Sequence, residues 1–236
     1  MSTIPAKSFR FKQFLVHQDR CAMRVNTDGC LLAAWANPLG KRILDVGCGS
    51  GVISLMIAQR NQTATIHSLD IDEGSCADSL INFQASPWPD RLSVSCSDFL
   101  EWSSSESFDL IISNPPFFSN GVKPSDPNRR YTRHTEALPA NRFLEKAASL
   151  LTSSGRISII VPTNEFRLWE HCANEYGLKT GRMCSVCPDA NKPAHRIMAE
   201  FGNGVNITKE SLAIRNSNQE YSNDFMLLLQ DFYLHF

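Results

Sequence analysis

Apolar residues in the middle of the chain fall into short runs of two alternating kinds. Ile43, Leu44 and Val46 form a brief run closed by Gly47, and similar runs at Ile66–Leu69, Leu92–Val94 and Leu110–Ile112 predict strands over residues 42–46, 65–69, 92–96 and 108–113. Between the first two, Val52, Ile53, Leu55, Met56 and Ile57 recur at helical spacing over residues 52–60, and residues 73–85 read as a second helix stopped by Pro87. A helix at 138–151, a strand at 155–161, a helix at 164–176 ended by Gly177, and a late strand pair at 179–187 and 195–201 complete the alternation. This order predicts an α/β fold with a mostly parallel sheet and helices on both faces. Ligands of such sheets bind beyond the carboxyl ends of the strands.

Three segments lie outside the alternation. Residues 1–26 are basic and aromatic, and Thr27 is a suitable N-cap for a short helix over 28–35. Residues 118–137 form a Pro/Asn/Arg-rich loop, longer than the connections compact domains ordinarily use. Residues 205–207 and 212–214 are expected to form a hairpin, followed by a closing helix at 223–233. Residues 1–236 are therefore expected to be one domain: a basic arm and helix (1–40), an α/β core (41–202), and a C-terminal hairpin and helix (203–236).

Candidate chemistry gathers at the predicted strand ends. Asp45-Val46-Gly47-Cys48-Gly49-Ser50-Gly51 joins the first strand to the first helix, and its glycines permit a sharp turn and close approach of a ligand to the backbone. The second strand ends at Asp70, 25 residues after Asp45, where a carboxylate can accept both hydroxyls of a ribose. The third ends at Ser97-Asp98-Phe99, where Asp98 is a candidate acceptor for an adenine amino group. Carboxylates around a glycine-rich crevice suit a cationic nucleoside and repel a pyrophosphate, which favours S-adenosylmethionine over a dinucleotide. Asp45 is open to two roles, near the methionine ammonium or orienting the turn.

Asn114-Pro115-Pro116-Phe117 follows the fourth strand. An exocyclic amine on a base is a poor nucleophile because its lone pair is conjugated into the ring. The Asn114 side-chain oxygen and the Pro115 carbonyl are candidate acceptors that hold the N–H groups so that the lone pair faces a methyl donor. The prolines stiffen that loop, and Phe117 can stack on the ring.

Charge changes the picture. The net charge is only −1, yet residues 1–42 carry +5, residues 43–119 carry −8, residues 120–146 carry +3 and residues 147–236 carry −1. The acidic block covers the expected cofactor half, and the basic blocks flank it where a nucleic-acid backbone would lie. No apolar run reaches the ~20 residues needed to cross a bilayer, and residues 1–20 lack a secretory core, so a cytoplasmic protein with no membrane contact is expected. The eight cysteines sit mostly in apolar segments and read as reduced thiols. Cys184 and Cys187 have no second pair at zinc spacing, so no metal is expected.

The motifs Asp45–Gly51, Asp70, Asp98 and Asn114–Phe117 resemble those of class I S-adenosylmethionine-dependent amino-group methyltransferases. Phe11-Lys12-Gln13-Phe14, residues 19–25, Thr27-Asp28-Gly29, Arg133-His134-Thr135-Glu136 and residues 192–196 extend the resemblance to the bacterial family that methylates N6 of adenine 37 in a valine tRNA. Ser50 stands where Thr is common, and Leu15 where an aromatic residue is usual. The resemblance implies a Rossmann-like seven-stranded sheet with an antiparallel last strand. It also implies a cofactor site from Asp45, Gly47, Cys48, Gly49, Gly51, Asp70, Ile71, Asp98, Phe99 and Asn114, with Thr27 and Asp28, and a catalytic motif of Asn114, Pro115, Pro116 and Phe117.

Candidate RNA contacts are Lys12, Arg20, Arg24, Arg129, Arg130, Arg133 and His134, with the anticodon loop of the tRNA as partner and no obligate protein partner. For Phe11 and Phe14, packing of the arm competes with base stacking. Two other functions fit the same residues: methylation of a glutamine amide on a translation factor, and a non-catalytic RNA-binding module.

Overall fold

In the computed structural model the described residues are 8–116, 138–203 and 207–236. The alternation read from the sequence is present. Strands β3 (Arg42–Val46), β4 (Thr65–Asp70), β5 (Leu92–Cys96), β6 (Phe108–Ser113) and β7 (Leu151–Pro162) pair in parallel in the order β7-β6-β3-β4-β5. The helices between them are α2 (Val52–Arg60), α3 (Glu73–Gln84) and α4 (Ala140–Leu150), and α5 (Phe166–Glu175) follows β7. The reversed strand is β9 (Arg196–Gly202), which lies antiparallel between β7 and β8 (Lys179–Asp189).

Alternating strand residues feed two cores, as the two-residue period of a strand requires. Ile43, Ile66, Leu110 and Ile112 pack with α1 (Thr27–Trp35), α2, Phe83 of α3 and α6 (Asn223–Leu229) on one face. Leu44, Leu69, Ile111, Ile157 and Ile159 pack with Phe143, Leu144 and Trp169 of α4 and α5 on the other.

The sheet has eight strands, not seven. The expected hairpin at 205–207 and 212–214 is absent: β10 (Thr208–Arg215) is one strand that extends the edge parallel to β8. Residues 204–206 lie outside the described segments. A side-chain cluster explains this placement. Arg182 of β8 donates to both carboxylate oxygens of Glu210 on β10, and its guanidinium lies 4.3 Å from the Trp35 ring, while Trp35 Nε1 donates to Glu210.

From residue 8 onward the N-terminal arm carries two strands that the pattern does not predict. β1 (Ser8–Arg10) and β2 (Leu15–His17) form an antiparallel pair closed by Phe11 N–H donating to the Phe14 carbonyl. Phe11 and Phe14 are buried and stacked on each other at 4.6 Å, so arm packing uses them, not base stacking. The N-cap of α1 is Asn26, whose side chain accepts from Gly29 N–H, so Thr27 is the first helical residue. No helix among the described residues is long and apolar enough to cross a membrane.

Candidate active site

The site is built where β3, β4, β5 and β6 end. After Val46 the chain turns through Gly47–Gly51, and the Gly47 and Cys48 N–H groups both donate to the Leu69 carbonyl at the end of β4. Gly47 has φ 74°, a left-handed conformation that costs a side-chain-bearing residue about 1 kcal/mol or more. At Gly51 a Cβ would sit 2.5 Å from the Phe83 ring, so glycine is what lets the turn lie against α3.

Asp70 closes this turn from the neighbouring strand. Its Oδ2 accepts from Gly49 N–H at 2.8 Å and its Oδ1 from Asp72 N–H at 2.9 Å, while Asp72 caps α3 by accepting from Ser75 N–H. Burial pushes the Asp70 carboxyl above its ordinary value, against the lowering effect of those two amides. Just past the end of β5, Asp98 Oδ1 accepts from Leu100 N–H at 2.8 Å. On β6, Ser113 donates to the Val46 carbonyl at 2.7 Å and so holds the start of the Asn-Pro-Pro motif beside the glycine turn.

Gly47, Gly49, Asp70, Asp98 and Asn114 line a cavity of about 300 Å³, together with Ala22, Met23, Ser75 and Leu138. Its described lining holds Asp70, Asp72 and Asp98 and neither Lys nor Arg, an electrostatic surface for a cation-bearing nucleoside and against a pyrophosphate. Ile71, Phe99 and Leu100 supply apolar surface to the cavity. S-adenosylmethionine therefore fits the donor set. A larger cavity of about 510 Å³ opens at the amino ends of β3 and β4, around Arg42, His67 and Trp102. It contains none of the motif residues and lies at the edge where open α/β sheets do not bind their ligands.

Several predicted residues stand behind the cavity wall. Asp45 is fully buried, accepts from Ser54 Oγ at 2.7 Å, and leaves Oδ1 without a partner among the described residues. Burial pushes its carboxyl up to about 7, with Asp70 adding to the rise. Asp45 does not line the cavity, and its hydrogen bond from Ser54 ties the end of β3 to α2. The Cys48 thiol packs 3.5 Å from Ser79 Oγ. Asp28 pairs with Arg196 at 2.8 Å, and neither Thr27 nor Asp28 lines the cavity. Pro115 is buried, and Pro116 is exposed and lines the cavity.

Arg20 and Arg24 are exposed and flank the Ala22–Met23 wall in sequence, whereas Lys12 donates to the Gln230 carbonyl at 2.5 Å, against the C-terminal segment. Phe117, Arg129, Arg130, Arg133 and His134 lie outside the described residues. Two contributions carry no periodic signal in the sequence: the Ala22–Met23 wall, and Asn26, whose Oδ1 lies 3.5 Å from Asn114 Nδ2.

Asn114 lines the cavity with its amide oxygen buried and, among the described residues, unpartnered. A buried acceptor left unsatisfied costs about 1–3 kcal/mol, so a donor arriving there recovers that energy.

Parallel strands with one reversed member, a glycine turn after the first, carboxylates after the next two and Asn-Pro-Pro after the fourth define a class I methyltransferase. Residues 26–170 match the methyltransferase small domain family. The chain is 38% identical to the tRNA1(Val) (adenine(37)-N6)-methyltransferase of Vibrio campbellii, covering 98% of this chain and 97% of that protein. It is 38% identical to the protein of that name from Bacteroides thetaiotaomicron, covering 96% and 97%. The fold is shared with a predicted O-methyltransferase from Agrobacterium tumefaciens, at TM-score 0.67 and 16% identity, over 87% of this chain and 96% of that one. The chain belongs to the tRNA1(Val) (adenine(37)-N6)-methyltransferase family.

Proposed function

We propose that this protein transfers a methyl group from S-adenosylmethionine to N6 of adenine 37 in the anticodon loop of a valine tRNA. The observation that carries the reading is the Asn114 oxygen, unpartnered among the described residues, beside a cavity whose described ionisable lining is all acidic. The full-length likeness to relatives named for this reaction supports the choice of substrate. A tRNA substrate also agrees with cysteines that are all free thiols, as in a cytoplasmic enzyme.

Asp70 is suited to hold the ribose hydroxyls, Asp98 the adenine amino group, and Ile71 and Phe99 the faces of the base. Bound there, S-adenosylmethionine supplies an electrophilic methyl group on a sulfonium. Asn114 Oδ1 and the Pro115 carbonyl accept the two N–H bonds of the target amine and draw its lone pair out of conjugation. Desolvation by the enclosing wall strengthens these contacts. Near-attack positioning of this kind supplies up to ~7–11 kcal/mol of a barrier, so no covalent intermediate is needed. An anticodon-loop base is cheaper to present than one in a duplex.

The test is incubation with methyl-labelled S-adenosylmethionine and unmodified valine tRNA, followed by nucleoside mapping. Label in N6-methyladenosine at position 37 is expected, and Asn114→Ala should lose at least about 100-fold in kcat with cofactor affinity retained. Label in protein, label elsewhere in the tRNA, or undiminished turnover by the variant overturns the reading.

A further inference from the structure

An amide side chain has two ends that look alike in shape and act oppositely. For Asn114 to accept from an amine, its oxygen has to face the cavity and its nitrogen has to face away. The chain contains a device that selects this orientation. The Gly29 backbone N–H can only donate, and it lies 2.8 Å from one atom of the Asn26 amide, which is therefore the oxygen. The other end of that amide donates to the Arg24 carbonyl at 3.3 Å, in agreement. The Asn114 atom that faces the same Asn26 oxygen, 3.5 Å away, is then the nitrogen. Its oxygen, at the other end of the amide, is buried and without a partner among the described residues. Rotating the Asn114 amide by half a turn would set oxygen against oxygen at Asn26 and NH2 against the incoming amine.

We propose that Asn26 is a positioning residue for methyl transfer. The oxygen that caps α1 also orients the Asn114 amide, so that the helix N-terminus sets the polarity of the catalytic acceptor. At 3.5 Å the contact is long, so it biases two orientations rather than locking one. The inference rests on the reading of Asn114 as the acceptor for the target amine.

Capping and orienting can be separated. Asn26→Ser keeps a capping oxygen, since Ser and Asn cap comparably, but its shorter side chain does not reach Asn114. Asn26→Asp keeps an acceptor for both contacts. Thermal melting, S-adenosylmethionine affinity and single-turnover transfer to tRNA are measured for each.

Asn26→Ser is expected to melt and bind cofactor like the parent while transfer slows about 5- to 20-fold. Asn26→Asp should stay within about twofold. A second background guards against a folding defect. In Asn114→Asp the carboxylate presents an acceptor on both sides and needs no orienting, so adding Asn26→Ser should leave its rate unchanged or raise it. Parental transfer by Asn26→Ser, equal losses in Asn26→Ser and Asn26→Asp, or the same slowing in both backgrounds overturns the proposal. If Asn114→Ala keeps its turnover, the reading of the acceptor itself falls. If only the Asn26 variants behave like the parent, that reading stands and the relay falls.

Discussion

Asn114 and Asp45 are both polar residues with a buried oxygen that has no partner among the described residues, and their surroundings differ. Asn114 lines the cavity, where an arriving donor can satisfy it. Asp45 is not part of the described cavity lining and is bonded by Ser54. Its carboxyl is held up to about 7 by burial, so the folded protein binds that proton more tightly than the unfolded chain does. The resulting stability is fully present below the ordinary value of 3.8 and is lost as pH rises toward about 7. That interval corresponds to roughly 4 kcal/mol at most. Asp45→Asn lacks the titration. Its melting temperature is expected to rise relative to the parent between about pH 4 and 7, by on the order of 10 °C, and to hold that gap above pH 7. Parallel melting curves across the range would sink the assignment. The sequence made Asp45 legible as part of a strand-end motif, but not which of its two roles it takes, because burial depends on what covers the turn.

The arm and α3 show how an element can be decided by its neighbour. Asp78 accepts from the Arg20 and Cys21 N–H groups, and the Asn82 amide bonds both to His17 and to the Ser50 carbonyl. These contacts tie residues 17–21 to α3 and to the glycine turn, and carry Ala22 and Met23 into the cavity wall. Gly74, in the first turn of α3, permits the approach: a Cβ there would meet the Arg20 carbonyl oxygen at 2.7 Å. In an isolated helix Gly→Ala gains about 1 kcal/mol. Gly74→Ala is instead expected to destabilise the arm, raise hydrogen exchange at residues 17–23, and weaken S-adenosylmethionine binding by roughly tenfold. A higher melting temperature with unchanged exchange would contradict it. The arm escaped the sequence pattern because its strands are three residues each and its contacts with α3 are 57 to 65 residues away along the chain.

Across the whole molecule, a net charge of −1 conceals two electrostatic tasks. The acidic block surrounds the cofactor cavity, and basic residues lie in the segments before and after it. Arg20 and Arg24 are exposed beside the cavity wall. If tRNA binds through these cations, its Kd should weaken roughly tenfold or more between about 50 and 200 mM salt, the change that two phosphate contacts produce. S-adenosylmethionine affinity should move far less over the same range. A flat tRNA titration would remove the phosphate contacts from the account.

The order of strands and helices, the four strand-end motifs and the acidic character of the cofactor half were determined by the sequence alone. Each rests on local periodicity or on residues within one turn, which the chain states directly. The eighth strand, the contact of Asn26 with Asn114, the burial of Asp45 and the clamping of the arm onto α3 were decided by tertiary structure. Each depends on partners far apart in the chain: Glu210 with Arg182 and Trp35, Asn26 with Asn114, and Asp78 with Arg20. No local pattern encodes such a pairing, because its free energy exists only once the sheet has brought the two ends together.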